Sequence, residues 1–213
     1  MADWRRYKGG QRWRIMADGR IDVEGDGPVR TEGAPRTAWT LWQDHRAAML
    51  RARDQFDIPL ATIAGIICVE SVPGKPDWWR RDTTSHRREP SGAQSGGLMQ
   101  TLVSTARQVN STYQLFWQLG DDGKTLAALS LQDLFVAERS IMLGTGYLRT
   151  LADSDASGVV DCDPMMLCAA YNAGAIYETD RNRWRMRTYG AGRLEKFARF
   201  YNDFLAARSI DHG

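Results

Sequence analysis

Cysteine, histidine, net charge and long apolar runs are all scarce in this 213-residue chain. The three cysteines, Cys68, Cys162 and Cys168, cannot all pair and form no Cys-x-x-Cys, so they are read as reduced and buried. His45, His86 and His212 are too far apart for ligand spacing, and no metal is expected. Asp161 and Asp163 flank Cys162, yet Asp163 ahead of Pro164 is better explained as a helix N-cap. Lysine plus arginine number 28 against 26 acidic residues, a net charge of +2, so nucleic acid is not an expected partner. The longest apolar stretch, Ile58 to Val69, is interrupted by Pro59, Thr62 and Gly65 and falls short of the ~18–20 residues that cross a bilayer. Membrane insertion is therefore not expected. The first eight residues lack the apolar core of a secretory signal, so the expectation is cytoplasmic synthesis followed by assisted release.

The composition that remains is globular. Apolar residues make up 43% and charged residues 25%, enough for one packed domain and incompatible with disorder. Trp13, Ile15, Ile21 and Val23 alternate with polar residues around Asp18-Gly19, which predicts a β-hairpin between Gln11 and Val29. A Gly/Pro cluster to Pro35 follows as a linker. Residues 1–35 are thus expected to form an arm, and residues 36–213 a helical domain. Trp39, Trp42, Ala47, Leu50 and Phe56 recur at helical spacing, and Pro59 to Ser71 reads as a second helix buried on most sides. Pro73 to Gly97 has no period and reads as a long functional loop. Helical character resumes over Thr101 to Tyr113. Ser130 to Asp133 looks like a capping box on a helix reaching Leu151, Pro164 to Ala173 is another helix, and Arg193 to Arg208 is a last amphipathic one.

Glu70 ends the run Ile63-Ala64-Gly65-Ile66-Ile67-Cys68-Val69, which places its carboxyl against hydrocarbon. Desolvation of that kind favours the neutral form, the state a general acid needs at neutral pH. A carboxylate pointing from a helix end into water is the plainer alternative.

Three separated blocks add context: Glu70-Ser71, then Ser91 through Gly97-Leu98-Met99-Gln100, then Ala169-Ala170-Tyr171-Asn172-Ala173-Gly174. Between the last two, Ile141, Gly144, Tyr147 and Leu148 follow the pattern Ile-x-x-Gly-x-x-Tyr-Leu. In this order the chain resembles the lytic transglycosylase SLT family, whose lysozyme-like helical fold is shared with goose-type lysozymes. The resemblance spans roughly Trp39 to Tyr201. It implies a mainly α fold, a lysozyme-like helical domain here carrying a small N-terminal β-hairpin. It also implies peptidoglycan glycan strands as substrate and no cofactor.

As the resemblance has it, one acid does both steps. Glu70 protonates the oxygen between N-acetylmuramic acid and N-acetylglucosamine, then as carboxylate takes the proton of the muramoyl 6-hydroxyl, closing a 1,6-anhydro ring. The substrate's 2-acetamido group replaces an enzyme nucleophile. Tyr171 is expected to hydrogen-bond the acid. Ser71, Ser91, Gly97, Met99, Gln100 and Asn172 are expected on the saccharide side, glycine for close backbone approach, Met99 as an apolar wall and Gln100 as an amide partner.

Glu70 and Gly97 stand 27 positions apart, farther than the resemblance implies, and the surplus lies in the loop 73–90. Trp78 and Trp79 there offer faces for sugar rings, or else pack the loop onto the body. Arg80, Arg81, Arg87 and Arg88 offer anion contacts. Glu89 is a candidate second carboxylate. At about 6.5–9.5 Å from Glu70 it would position a water and make the product that of a lysozyme. Transglycosylation ranks ahead of hydrolysis because Ser91 and Leu102 stand where goose-type lysozymes carry aspartates. A glycan-binding or virion structural module is the reading of a different class, and chitin-like polymers are a lesser substrate alternative. The expected setting is phage or prophage wall lysis by a monomer, released through a holin, a virion or a secretion machine.

Overall fold

A computed structural model describes residues 3–71, 86–88, 93–116 and 128–211. Two strands, β1 (Trp13–Ile15) and β2 (Ile21–Val23), lead into α1 (Arg36–Phe56) and α2 (Leu60–Glu70). Three short strands follow, β3 (His86–Arg88), β4 (Gln94–Gly96) and β5 (Thr101–Leu102). Among the described residues, helices α3 (Val103–Tyr113), α4 (Leu131–Leu134), α5 (Ala137–Asp153), α6 (Pro164–Ala173) and α7 (Arg193–Asp211) follow, with a 3₁₀ turn at Asp155–Ser157. The fold is mainly helical with a small N-terminal antiparallel hairpin, as expected. No described helix is long and apolar enough to cross a membrane.

The chain divides into two compact units. One comprises Met1–Asp44, Pro59–Val69 and Leu151–Gly213, the other His45–Ile58 and Glu70–Thr150.

In the first unit β1 pairs with β2 in the register Trp13↔Val23 and Ile15↔Ile21, around Gly19 at φ +82°. The hairpin is anchored by two side chains far along the sequence. Asn202 of α7 accepts from the Ile21 amide at 2.8 Å and donates to its carbonyl at 2.9 Å, which satisfies the free edge of β2. Asp163 caps α6, accepting from the amides of Met165 and Met166 at 2.9 and 3.1 Å, and Pro164 sits at the first helical position. The same carboxylate accepts the Trp13 indole N–H at 3.0 Å and an Arg5 guanidinium N–H at 3.0 Å. Asp163 thus ties the arm to the helix that carries Tyr171. Asp163→Ala is expected to cost about 2–3 kcal/mol, from a lost cap and a buried indole N–H left without an acceptor, while the exposed Arg5 adds little. Asp163→Asn, which still caps, should recover most of that in urea unfolding. Trp42 packs edge-on to Phe204 with centroids 5.6 Å apart, and Gly65 of α2 leaves room for the Phe197 ring, which a Cβ would meet at 2.6 Å.

Cys68 and Cys168 are fully buried and burial pushes both thiols up, but Cys162 is only half-buried. The expectation of three buried thiols holds for two, because Cys162 lies at φ +52° in the exposed turn leading to Asp163.

In the second unit Ala106, Val109, Leu129, Leu134 and Leu143 form one buried apolar cluster, flanked by Tyr113 and Tyr147. Phe56 meets Tyr113 edge-on at 5.1 Å. Gly146 is a seat for Val109 and the Phe56 ring, at 2.6 and 3.1 Å from a would-be Cβ.

Two expectations are corrected here. The loop from Pro73 to Gly97 is not structureless throughout, since β4 pairs antiparallel with β3 (Arg88↔Gln94) and with β5 (Gly96↔Thr101). Gln94-Ser95-Gly96 carries no β-branched or aromatic residue, so ladder pairing rather than propensity makes it a strand. The Ser130–Asp133 box is present, Asp133 accepting from the Ser130 amide at 2.7 Å, but the helix it opens stops at Leu134. A new helix begins at Ala137. The break turns Asp133 toward Arg139 and leaves the Leu134 carbonyl beside Gly97.

Candidate active site

Glu70 is the last residue of α2, half-buried after nine consecutive buried positions, Leu60 to Cys68. Leu60 through Cys68 are all buried, so nearly every face of this helix is covered up to its last turn. Ser71 follows at 1% exposure and donates its hydroxyl to the Leu98 carbonyl at 2.6 Å. That bond joins two of the sequence blocks, 27 residues apart, and fixes the backbone next to Glu70.

The second block is a tight turn. Gly97 takes φ +74°, its carbonyl accepts both the backbone amide of Gln100 at 3.2 Å and the Gln100 side-chain amide at 2.8 Å, and Gln100 itself sits at φ +48°. Leu98 and Met99 are fully buried. The Met99 amide donates to Ser140 Oγ at 3.2 Å, and its side chain lies on α5 where Gly144 leaves space; a Cβ at Gly144 would come 2.7 Å from Met99 Cβ. The Ile-x-x-Gly-x-x-Tyr-Leu pattern of α5 is thus a seat for Met99. Gly96 and Gly97 also answer a demand inside the protein. A Cβ at Gly97 would fall inside the Leu134 carbonyl oxygen and 2.5 Å from Ser140 Oγ, and one at Gly96 would come 2.7 Å from Leu131. The close approach they permit is to the protein's own helices.

In the first unit, Tyr171 and Asn172 occupy the last turn of α6, which ends at Gly174 in the left-handed conformation, its amide donating to Ala170. Tyr171 is 8% exposed. The Asn172 side-chain carbonyl accepts the backbone amide of Tyr189, which organises the segment beyond α6.

Trp78, Trp79, Glu89 and Ser91 lie outside the described residues. Sequence reasoning missed Ser140 and the Leu98 carbonyl as the groups that hold the turn, and Tyr189 as the partner of Asn172. Ser140 had a faint signal, a small polar residue just ahead of the Ile141 pattern. Tyr189 had none, since it lies in an aperiodic stretch.

The profile of the transglycosylase SLT domain family matches residues 48–193, and the chain belongs to that family. A protein of Haemophilus influenzae named soluble lytic murein transglycosylase is 32% identical over 118 residues. The matched segment is 55% of this chain and 17% of that protein, so the chain corresponds to a small part of its relative.

Proposed function

We propose that this chain is a peptidoglycan lytic transglycosylase that cleaves the β-1,4 bond between N-acetylmuramic acid and N-acetylglucosamine. The observation that carries the reading is Glu70 at the end of a buried helix, its following residue bonded to the Leu98 carbonyl of the Gly-Leu-Met-Gln turn, in a chain of the SLT family. The name of the Haemophilus relative supports the same substrate.

In the proposed reaction the Glu70 carboxyl gives its proton to the glycosidic oxygen as the C1–O bond breaks. The carbonyl oxygen of the 2-acetamido group bonds to C1 and holds the developing charge. Glu70, now carboxylate, takes the proton of the 6-hydroxyl. The O6–C1 bond then forms as the acetamido bond breaks, which leaves 1,6-anhydromuramic acid and regenerates the acid. No water enters the product. Tyr171 is assigned to orient the acid, and Asn172 and Gln100 to contact the sugars. Ser71 and Met99 are assigned positioning roles, because both are buried and engaged within the protein.

Mass spectrometry of muropeptides after digestion tests this directly. Anhydro ends, lighter by one water than reducing ends, are the expected product; reducing ends alone would replace the proposal with a hydrolase in which a second carboxylate such as Glu89 positions water. Wall lysis in a phage or prophage setting is the finer part of the proposal, and finding the protein free in the periplasm of uninfected cells would overturn it.

A further inference from the structure

Beyond α6 the chain folds back on itself between Tyr177 and Tyr189. Glu178 and Met186 form an antiparallel bridge, the Thr179 amide donates to the Arg185 carbonyl at 3.0 Å, and the Arg187 amide donates to the Tyr177 carbonyl at 2.8 Å. Asn182 closes the tip, accepting from the Trp184 amide at 3.0 Å and donating to the Met186 carbonyl at 2.9 Å. The excursion is a hydrogen-bonded frame, and the Tyr189 amide ties its far end to Asn172.

The frame carries four arginines whose charges are treated differently. Arg183 is paired with Asp26 and Glu195, and Arg185 with Glu178 and Asp180. Arg187 has no carboxylate within ion-pair distance among the described residues. Its guanidinium instead lies 5.9 Å from the Tyr177 ring centroid and 5.2 Å from that of Tyr189, and donates to the Tyr189 hydroxyl at 3.1 Å. Both rings are about half exposed, 48% and 56%, whereas Trp13, Trp42 and Trp184 are buried. Beside them lies a groove of about 400 Å³ lined by Glu178, Arg181, Asn182, Arg187, Thr188 and Tyr189. The Glu178 charge is already answered by Arg185 and Lys8, so Arg181 and Arg187 leave the groove cationic.

We propose that the Tyr177–Arg187–Tyr189 cluster and its groove form a subsite for the carboxylate of a peptide carried on the glycan strand. Aromatic faces hold a guanidinium in a fixed plane without neutralising it, so its N–H fork stays available for two carboxylate oxygens. The rings flanking it supply apolar surface for small aliphatic side chains such as alanyl methyls. The groove volume falls in the range of small-ligand sites. Its tie to Asn172 makes it a continuation of the saccharide contacts assigned above, and the inference rests on that murein reading.

The test compares binding of the full chain to intact glycan strands and to the same strands stripped of peptide by an amidase, in a Glu70→Gln background so that nothing is consumed. The intact strands are expected to bind about tenfold more tightly, the worth of one charge-assisted pair at a partly exposed site. That ratio should collapse toward one in Arg187→Ala and in Arg187→Gln, the second of which keeps a polar side chain on the frame without the charge. A ratio unchanged by both variants, no preference in the parent, or a preference lost on removing phosphate polymers rather than peptide each overturns the subsite. Product release from stripped strands by the unmutated protein scores the murein reading separately, so the two failures are distinguishable.

Discussion

Glu70→Gln is expected to slow anhydromuropeptide release by about 10²–10⁴-fold, the usual worth of a positioned general acid. Glutamine keeps the shape and the hydrogen-bonding reach of the side chain but has no proton to give at neutral pH and no carboxylate to take one back. Both halves of the proposed reaction fail together, so the loss belongs in kcat, with binding of glycan strands retained. The substitution is at the half-buried end of α2, and Ser71 remains bonded to Leu98, so the thermal midpoint should hardly move. Zymography on purified murein checks it. Equal clearing by the two proteins would remove Glu70 from the mechanism.

The second large effect is structural. Gly97→Ala is expected to destabilise the protein by about 4 kcal/mol, combining a left-handed alanine with overpacking of a closed site. The added methyl has nowhere to go, because its neighbours are a backbone carbonyl, Leu134, and the Ser140 hydroxyl that accepts from Met99. Neither is the free end of a flexible side chain. A domain with the usual stability of about 5–15 kcal/mol loses a large share of it, so the urea midpoint should fall steeply. Because the Gly97 carbonyl also receives both amide groups of Gln100, murein cleavage should fall in the fraction that stays folded. Gly19→Ala makes the control. It has the same sign of φ, at +82°, but its nearest neighbour is the flexible end of Leu205 at 3.6 Å, so only the smaller backbone cost applies.

Much of this was legible in the sequence. The hairpin was written in the alternation of Trp13, Ile15, Ile21 and Val23 about Asp18-Gly19, and α6 in Asp163-Pro164 at one end and Gly174 at the other. These are local signals, set by the period of a strand and by the unpaired donors and acceptors at helix ends. The order of the SLT blocks made the family readable for a similar reason, since each block is short and contiguous.

What failed was everything decided by distant partners. The capping box at Ser130 said where a helix starts but not that it would break after Leu134. β4 was invisible because Gln94, Ser95 and Gly96 have no preference for extended structure until β3 and β5 flank them. Gly97 was read as a point of close backbone approach, but the Leu134 carbonyl and Ser140 hydroxyl that crowd it lie far along the chain and gave no local sign.

The sequence alone determined the mainly helical class, the N-terminal hairpin, the family and the candidate acid. Only the tertiary structure decided what surrounds those residues. It set Ser71 on the Leu98 carbonyl, Met99 in the space left by Gly144, Asn202 on the edge of β2, and Arg187 between two exposed tyrosines. Local pattern fixes conformation through interactions a few residues long. Burial and charge pairing depend on groups that meet only after the chain has closed on itself, and no window of sequence contains both partners.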